Sequence, residues 1–560
     1  MKKIPTLIKN VLNKTLALFL VAIRHLPRFA QNEYRQYLYI EKQLSQIKLN
    51  KISSILPSFL LNKPSIRDSL LRNSTYRVID PVNMTHDDAE FIKRNSIFIE
   101  YIEANKLPLT GENLNDIPAY QEKDNYDRTF QLQTIKNRFI KAICPRTGVT
   151  LHSDRSLLPE AGGSVFYRFI GQEHPFYLAV GRAGMGYIKT FLYMPDVQTI
   201  ILLGDNDWAW LGRWEIDQFR AYLISDYKKI FGYLTNQTIP GIYALLDQYH
   251  FAHHIWNTLT GLSKIATKEY GDLIDSLLIT NEPMGPIDQL FPEFEKNQYL
   301  RLSNSEIVDF VIEKNLFVIR PGGTIVTDEI MDRIYRVAID NTVPYYLKDA
   351  QDFRAKHWPI LWATIRTGNR SWHMQAEGIA NIANKFKKIY PNFALVVDGY
   401  AIPYGEDIIN NKVTNVIANE EVVAQKIRDL LDVSIEVRFF VGKPIFQSVI
   451  YSRFIDVYLA HHGSIQHKIA WLSNKPGLVH SNKKVLSGIG GTKRYYAAFT
   501  STKSEVLPHY LDPEIMTDIS GATEEGDSRW DFALSHYDFD DQHAFDNLLK
   551  IVLLSDRKTV

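Results

Sequence analysis

The sequence is nearly devoid of cysteine and close to electrically neutral, and each property excludes a class of site. Cys144 is the only cysteine among 560 residues, so no internal disulfide and no metal site built from clustered cysteines can form. Lys and Arg total 64 against 63 Asp and Glu, which gives a formal net charge of +1. Since binding to a polyanion depends on excess positive charge, this balance argues against a nucleic-acid partner.

The sequence also lacks an apolar run long enough to cross a bilayer. Its first 30 residues contain six basic residues and no acid, around the short apolar run Leu16–Ile23. This order is typical of a signal peptide, but a small-residue cleavage site is missing. The pattern predicts either a basic amphipathic segment on an anionic membrane surface or a plain basic helix packed on the protein. We expect a cytoplasmic protein, and in the first of these two cases residues 1–30 contact the inner face of the membrane.

The chain divides by pattern into five predicted segments. Residues 1–61 form a basic helical segment, and residues 62–150, rich in Asn, Asp and Pro, form an irregular extension. Strand, polar turn and helix then follow one another repeatedly, which predicts one α/β domain over 151–345 and a second over 346–502. Residues 503–560 form a tail with a terminal helix. The predicted fold class is therefore α/β, with two Rossmann-like domains facing a cleft and an additional helical and irregular N-terminal region.

One stretch of the second domain, Ile455–Ser481, contains a strand, a turn, a helix and a strand in succession. The turn, His462–Ser464, lies at the carboxyl end of its strand if the sheet is parallel. Helix-initial N–H groups suit a phosphate or carboxylate, and Gly463 lets a ligand approach the backbone closely. Ser464 either binds an anion oxygen or caps the helix, as in an ordinary turn. Lys468 adds positive charge to the predicted anion site.

Two arginines follow the first predicted strand of this domain, Pro359–Ile365. Guanidinium groups bind diphosphates in a forked geometry, so we expect Arg366 and Arg370 to complete the anion site. The alternative is a surface loop with two solvated arginines. Glu377 lies early in the next helix, where it either caps that helix or accepts hydrogen bonds from a ribose or a sugar.

Three histidines follow the predicted strand Ile242–Leu246 of the first domain. His250, His253 and His254 lie at a strand-to-helix turn, where side chains can face a cleft between the domains. A neutral imidazole can take the proton of a sugar hydroxyl, so each is a candidate general base, with a structural role as the alternative. His250 and His254 lack the neighbouring acid of a zinc-binding HExxH motif, and we predict no metal site.

Together these motifs resemble GT-B glycosyltransferases over residues 242–482. The stretch DVYLAHHGSIQHKIAWLSNKPGLVH is similar to the part of that superfamily that holds the donor diphosphate. YHFAHHIWNTLTGL resembles the histidine-bearing helix start of one inverting group. By this resemblance His253 matches the family histidine and His462–Ser464 matches its late His-Gly-Ser/Ala turn. Arg366 or Arg370 matches the arginine that follows the first strand of the second domain.

The resemblance implies a glycosyltransferase that moves a sugar from a nucleotide-sugar donor to a hydroxyl of a glycan or glycolipid, in surface polysaccharide or glycoconjugate synthesis. It implies no cofactor beyond the nucleotide-sugar substrate. Asp205–Asp207 has the spacing of a metal-binding DxD motif but lies outside the matched region, which favours a metal-independent reaction. His467 and Lys468 occupy the helix where retaining relatives have paired glutamates, which favours inversion. A polyol-phosphate transferase and a non-enzymatic glycan-binding scaffold stay open as alternatives.

Overall fold

The computed structural model describes most of the chain from Tyr76 onward. The described ranges are 76–105, 129–171, 174–181, 189–203, 209–225, 227–323, 325–406, 411–487, 508–519 and 535–556. The predicted basic segment 1–61, its proposed membrane contact and Asp205–Asp207 lie outside these ranges. Within them, no helix combines the length and the hydrophobicity that crossing a membrane requires.

Within the described ranges, the strands fall into three large sheets and two small two-stranded sheets. In chain order they are β1 (Arg77–Ile79), β2 (Ile140–Ile143), β3 (Thr150–Ser153), β4 (Ser156–Leu157), β5 (Val165–Ile170), β6 (Pro175–Val180), β7 (Lys189–Met194), β8 (Thr199–Leu202), β9 (Gly241–Leu246), β10 (Ser276–Ile279), β11 (Tyr299–Arg301), β12 (Leu316–Ile319), β13 (Ile360–Thr364), β14 (Ala394–Asp398), β15 (Glu436–Phe439), β16 (Val457–His461), β17 (Gly477–His480), β18 (His509–Tyr510), β19 (Thr517–Ile519) and β20 (His536–Asp538).

The helices connect and cover these sheets. They include α1 (His86–Arg94), α2 (Ile99–Glu103), α3 (Ala209–Ser225), α4 (Tyr227–Leu234), α5, α6 (Lys268–Gly271), α7 (Ile287–Leu290), α8 (Ile307–Glu313), α9 (Asp328–Asp340), α10 (Pro344–Lys356), α11 (Gln375–Ile389), α12 (Asn411–Leu430), α13 (Ile445–Ser452), α14 (Ser464–Ser473), α15 (Lys483–Leu486) and α16 (Asp541–Asp556). Helix α5 consists of three consecutive segments, namely Phe251–His253, a π-helical turn over His254–Leu259, and Thr260–Ile265.

The β-prone runs between residues 156 and 202 form one sheet together with β1, in the order β1-β8-β7-β6-β5-β4. Its consecutive strands β4 to β8 pair antiparallel, and β1 adds in parallel to β8. The short connections explain this, because parallel pairing needs a crossover of a dozen residues or more. The sequence pattern alone does not separate these strands from the α/β units that follow, and the predicted domain 151–345 includes both.

Buried hydrogen bonds and an ion pair connect the antiparallel sheet to the first parallel sheet. Tyr167 donates its hydroxyl proton to the carbonyl of Val318 at 2.7 Å. The buried Arg320 guanidinium forms an ion pair with Asp247 at 2.5 Å and donates to the carbonyl of Gly163 at 2.6 Å. These bonds fix the ends of β9 and β12, after which the candidate site begins.

The first parallel sheet has the strand order β11-β10-β9-β12, with every pair parallel. The second has the order β15-β14-β13-β16-β17-β18, also parallel throughout. Counted along the chain, that order is 3-2-1-4-5-6, which is the doubly wound arrangement of dinucleotide-binding domains. The prediction of an α/β fold with two such domains is confirmed.

The described part of the predicted C-terminal tail packs on the second sheet. Strand β18 extends the sheet beside β17, and α16 packs against α11, where the rings of Phe386 and Phe545 lie 5.2 Å apart. The two parallel-sheet domains meet where α9 packs on α13. There Arg453 of the second domain pairs with Asp332 of the first at 2.9 Å. The domains therefore face each other across a direct contact.

Tight packing of α11 on the indole of Trp372 gives a first prediction. A Cβ at Gly378 would lie 2.0 Å from the indole, which is buried, so Gly378→Ala must displace it. Overpacking of this kind costs about 1–3 kcal/mol, and we expect the melting temperature to fall. Gly232→Ala is the matched control, since that α4 glycine has no atom within 4 Å of its Cβ position. The control should raise the melting temperature, and equal shifts in both variants would contradict this packing.

Candidate active site

The candidate site lies at the point where the second sheet reverses its winding. Strands β13 and β16 are adjacent and parallel, with Ala363 opposite Leu459, so both end at the same edge. The chain leaves them toward opposite faces of the sheet, which opens a crevice beyond their carboxyl ends. The loop after β13 carries both predicted arginines, and the turn after β16 carries His462–Ser464.

Gly463 adopts a backbone conformation that other residues avoid. Its φ is 120° and its ψ is −155°, and it is the residue that precedes the first turn of α14. Ser464 is therefore the first residue of the helix and does not occupy the cap position. Arg366 Nη1 lies 3.4 Å, and Arg370 Nη2 3.6 Å, from the position that a Cβ on Gly463 would occupy. The missing side chain leaves a cradle between two guanidinium groups and the N-terminus of α14.

Hydrogen bonds from its own backbone and from Gln375 fix the loop Arg366–Arg370, which we call the arginine loop. The Gln375 amide accepts the N–H of Arg366 at 3.0 Å and donates to the Arg366 carbonyl at 2.9 Å. Arg366 Nε donates to the carbonyl of Asn369 at 2.6 Å. Burial and the neighbouring charge of Arg370 lower the pKa of Arg366 to about 10, so it stays protonated at neutral pH. Two like charges this close favour an anion between them.

Four histidines in or directly after β16, β17 and α14 are buried: His461, His462, His467 and His480. Burial is the largest cause that lowers their pKa, to about 3 for His462 and for His480. For His462 the charges of Arg370 and Arg366 add to the effect. These imidazoles are neutral at pH 7, so the positive charge of the cradle comes from the guanidinium groups.

The first domain places two of its three predicted histidines opposite this cradle. His250 Nε2 lies 3.2 Å from Ser464 Oγ, a contact that joins the two domains at the site. His253 lies one helical turn further, with its Nδ1 3.2 Å from Asn257 Oδ1. Burial lowers the pKa of both, to about 4 for His250. The third histidine, His254, is fully buried, and desolvation lowers its pKa to about 3.

Two other predicted donor-binding residues are engaged in ion pairs. Lys468 Nζ lies 2.6 Å from Asp398 Oδ2, and both side chains are almost completely buried. Its charge is thus compensated within the protein. Glu377 pairs with Lys426 between α11 and α12, and the hydrogen bond from Lys426 is the main cause of its lowered pKa. Glu377 therefore pairs with a lysine of the neighbouring helix.

Two residues that the sequence analysis did not single out complete the site. Glu420 of α12 is buried and accepts the N–H of Tyr400 at 2.6 Å, and desolvation raises its pKa to about 7. Tyr537, in β20, has its hydroxyl 2.7 Å from Nδ1 of His480. Tyr537 also exchanges backbone hydrogen bonds with Ser371 and His373, which anchors the end of the arginine loop. No local sequence motif marks either residue, because each reaches the site only through tertiary packing.

No metal cluster accompanies this arrangement within the described ranges. No three His, Cys, Asp or Glu side chains among those residues are grouped so that they could hold a metal ion. Asp205–Asp207 lies outside the ranges, and metal independence stays a prediction.

Comparisons with known proteins find distant likenesses in structure. No protein-family model matches the chain, and no curated protein matches it in sequence. One similar structure is a glycosyl transferase of family 9 from Veillonella parvula DSM 2008, with 11% identity and a TM-score of 0.21 over 44% of this chain and 60% of that chain. A second is the UDP-GlcNAc 2-epimerase of Neisseria meningitidis bound to UDP-GlcNAc, with 15% identity and a TM-score of 0.22 over 51% and 61%.

A third similar structure is a TarM variant of S. aureus in complex with Fondaparinux, alpha-GlcNAc-glycerol and UDP. It has 9% identity and a TM-score of 0.18 over 82% of this chain and 87% of that chain. The chain thus spans about three fifths of the first two structures and most of the third. Because all three likenesses are distant, the function has to follow from the geometry of the site.

Because these histidines are buried and neutral, we expect the free energy of unfolding to fall in mild acid. His462 is neutral when folded, with a pKa of about 3, whereas the unfolded chain protonates it below pH 6.5. The unfolded state then binds more protons, so the free energy of unfolding falls as pH decreases from about 6.5. His462→Gln should remove about 1 kcal/mol of the decrease between pH 6 and pH 5.

Calorimetric melting at both pH values, in a buffer free of phosphate, measures this difference. His86→Gln is the control, because the His86 ring is exposed. An identical pH dependence in His462→Gln and in the wild type would show that His462 is not held neutral by burial.

Proposed function

We propose that this protein is a glycosyltransferase that takes its sugar from a nucleotide-activated donor. The cradle of Arg366, Arg370 and Gly463 at the N-terminus of α14 carries the proposal. It lies at the switch point of a doubly wound sheet, where such folds bind nucleotides. Its chemistry suits a diphosphate, which can accept hydrogen bonds from guanidinium groups and from helix-initial N–H groups.

The same groups would stabilise the leaving nucleoside diphosphate. Negative charge builds up on that diphosphate as the glycosidic bond to it breaks, and fixed positive groups are worth most where charge develops. A metal ion often supplies this charge in such reactions. Here two arginines beside a helix N-terminus support a metal-independent reaction.

His253 is the proposed general base. It lies in α5, across the cleft from the cradle, and its lowered pKa keeps its imidazole neutral and able to accept a proton. An anionic donor bound nearby raises the pKa of a histidine, which makes it a stronger base at the moment of reaction. A base on one side of the sugar and the leaving diphosphate on the other suits a single displacement with inversion.

The acceptor that we propose is a hydroxyl of a glycan or a glycolipid. A cytoplasmic location, with residues 1–30 on the inner face of the membrane, is part of the same hypothesis. No cofactor beyond the nucleotide-sugar substrate is needed for the reaction as proposed.

Nucleotide binding tests the cradle directly. We expect one of UDP, GDP or CDP to raise the melting temperature and to bind in calorimetry, in the presence of EDTA, more tightly than CMP. Arg370→Gln should weaken that binding about 10- to 100-fold, because a hydrogen bond to a charged group is worth about 1.5–3 kcal/mol. Arg453→Gln is the control, since Arg453 pairs with Asp332 at the domain contact. Binding that Arg370→Gln leaves unchanged, or no binding at all, would contradict the proposed donor site.

Turnover tests the assignment of the base. With the sugar donor of the nucleotide that binds, His253→Gln should lower the transfer rate about 10²- to 10⁴-fold and leave nucleotide affinity unchanged. Mass spectrometry of products from a glycan and glycolipid acceptor panel measures it. A phosphodiester product would replace the proposal by polyol-phosphate transfer. Tight binding without turnover on any acceptor would favour a scaffold.

A further inference from the structure

The π-helical turn of α5 brings Asn257 into contact with the ring of His253. The Asn257 Oδ1 atom lies 3.2 Å from Nδ1 of His253, and the Asn257 side chain is 4% exposed. Its Nδ2 donates to the carbonyl of Gly323 at 3.1 Å, and the N–H of Gly323 donates to the Asn257 carbonyl at 3.0 Å. Asn257 is thus bonded by both its side chain and its backbone to the loop that follows β12.

These contacts determine which nitrogen of His253 holds the proton. A backbone carbonyl only accepts hydrogen bonds, so the end of the Asn257 amide that faces Gly323 must be its NH₂ group. The other end is then the oxygen, which also only accepts. The Nδ1 atom of neutral His253 must therefore be the N–H, and Nε2 bears the lone pair.

The loop that fixes Asn257 is itself packed tightly on α5. A Cβ at Gly261 would lie 2.2 Å from the N atom of Gly322, and a Cβ at Gly323 would lie 2.4 Å from Oγ1 of Thr260. The buried Gln131 accepts the N–H of Gly322 at 2.9 Å and donates to the Gly261 carbonyl at 3.3 Å. Close backbone approach of this kind leaves the Gly323 carbonyl little freedom to turn away.

We propose that Asn257 is a positioning residue that holds His253 in the Nδ1–H tautomer and leaves its Nε2 free to accept a proton. The consequence for catalysis rests on the proposed function, whereas the tautomer itself does not. The ring of His253 is also stacked on Trp256, with centroids 6.0 Å apart and planes 17° apart, so its orientation is restrained as well. His250 differs, because its Nε2 faces a serine hydroxyl, which can donate or accept.

Nitrogen-15 NMR of the full chain, labelled at histidine, reads the tautomer without any reaction. The chain has 16 histidines, so the His253 signals are assigned by their loss in His253→Gln. At pH 7.5 we expect the His253 Nδ1 signal in the range of a protonated nitrogen and Nε2 in the range of an unprotonated one. The reverse pattern in the wild type would overturn the inference, whatever the variants do.

Two variants at Asn257 separate positioning from general stability. Asn257→Leu removes the acceptor, so we expect His253 to lose its Nδ1–H signature and the transfer rate to fall roughly 10²-fold with the KM for the donor unchanged. Asn257→Asp keeps an acceptor and adds a negative charge. It should retain the tautomer, recover part of the rate and move the acidic limb of the pH–rate profile upward, because a carboxylate raises the pKa of a histidine.

The role of Asn257 in holding the His253 tautomer and the proposed glycosyltransferase activity can be refuted separately. If Asn257→Leu keeps the Nδ1–H tautomer, Asn257 does not position His253. If the wild type shows the expected tautomer but transfers no sugar, the tautomer assignment is supported and the glycosyltransferase proposal is overturned.

Discussion

The site depends on one constraint, the parallel pairing of β13 with β16 in a sheet wound from both sides. Parallel strands end at the same edge, so Arg366 and the His462–Ser464 turn come together although about 100 residues of chain separate them. The connections on either side leave toward opposite faces, and the space between them stays open. An antiparallel or reordered sheet would bring neither the arginines nor the helix N-terminus to one place.

Desolvation then decides how the charges of the site are used. Lys468 is neutralised by Asp398, and the histidines lose their protons because burial penalises the charged form. Positive charge therefore remains on Arg366 and Arg370, beside a glycine whose side-chain position is empty. The first domain supplies uncharged imidazoles on the opposite side. Transfer from a diphosphate requires a cationic site for the leaving group and a neutral side chain that can accept a proton. The two sides of the cleft supply these two groups.

Much of this could be predicted from local patterns. The predicted strands Ile242–Leu246 and Pro359–Ile365 lie within one residue of β9 and β13, because each is a compact apolar run bounded by turn residues. Among the three histidines only the resemblance favoured His253, since which ring faces the cleft depends on how α5 packs. Glu420 and Tyr537 were missed for a related reason. Their contacts join segments far apart in sequence, and no local pattern marks such contacts.

A crystal structure with a bound nucleoside diphosphate tests the central claim most directly. We expect the diphosphate to lie over Gly463, with its oxygens within hydrogen-bond distance of Arg366, Arg370 and the first N–H groups of α14. We also expect His253 Nε2 to face the position of the transferred sugar. A diphosphate bound at another place, with the cradle unoccupied, would show that the cradle is not the donor site.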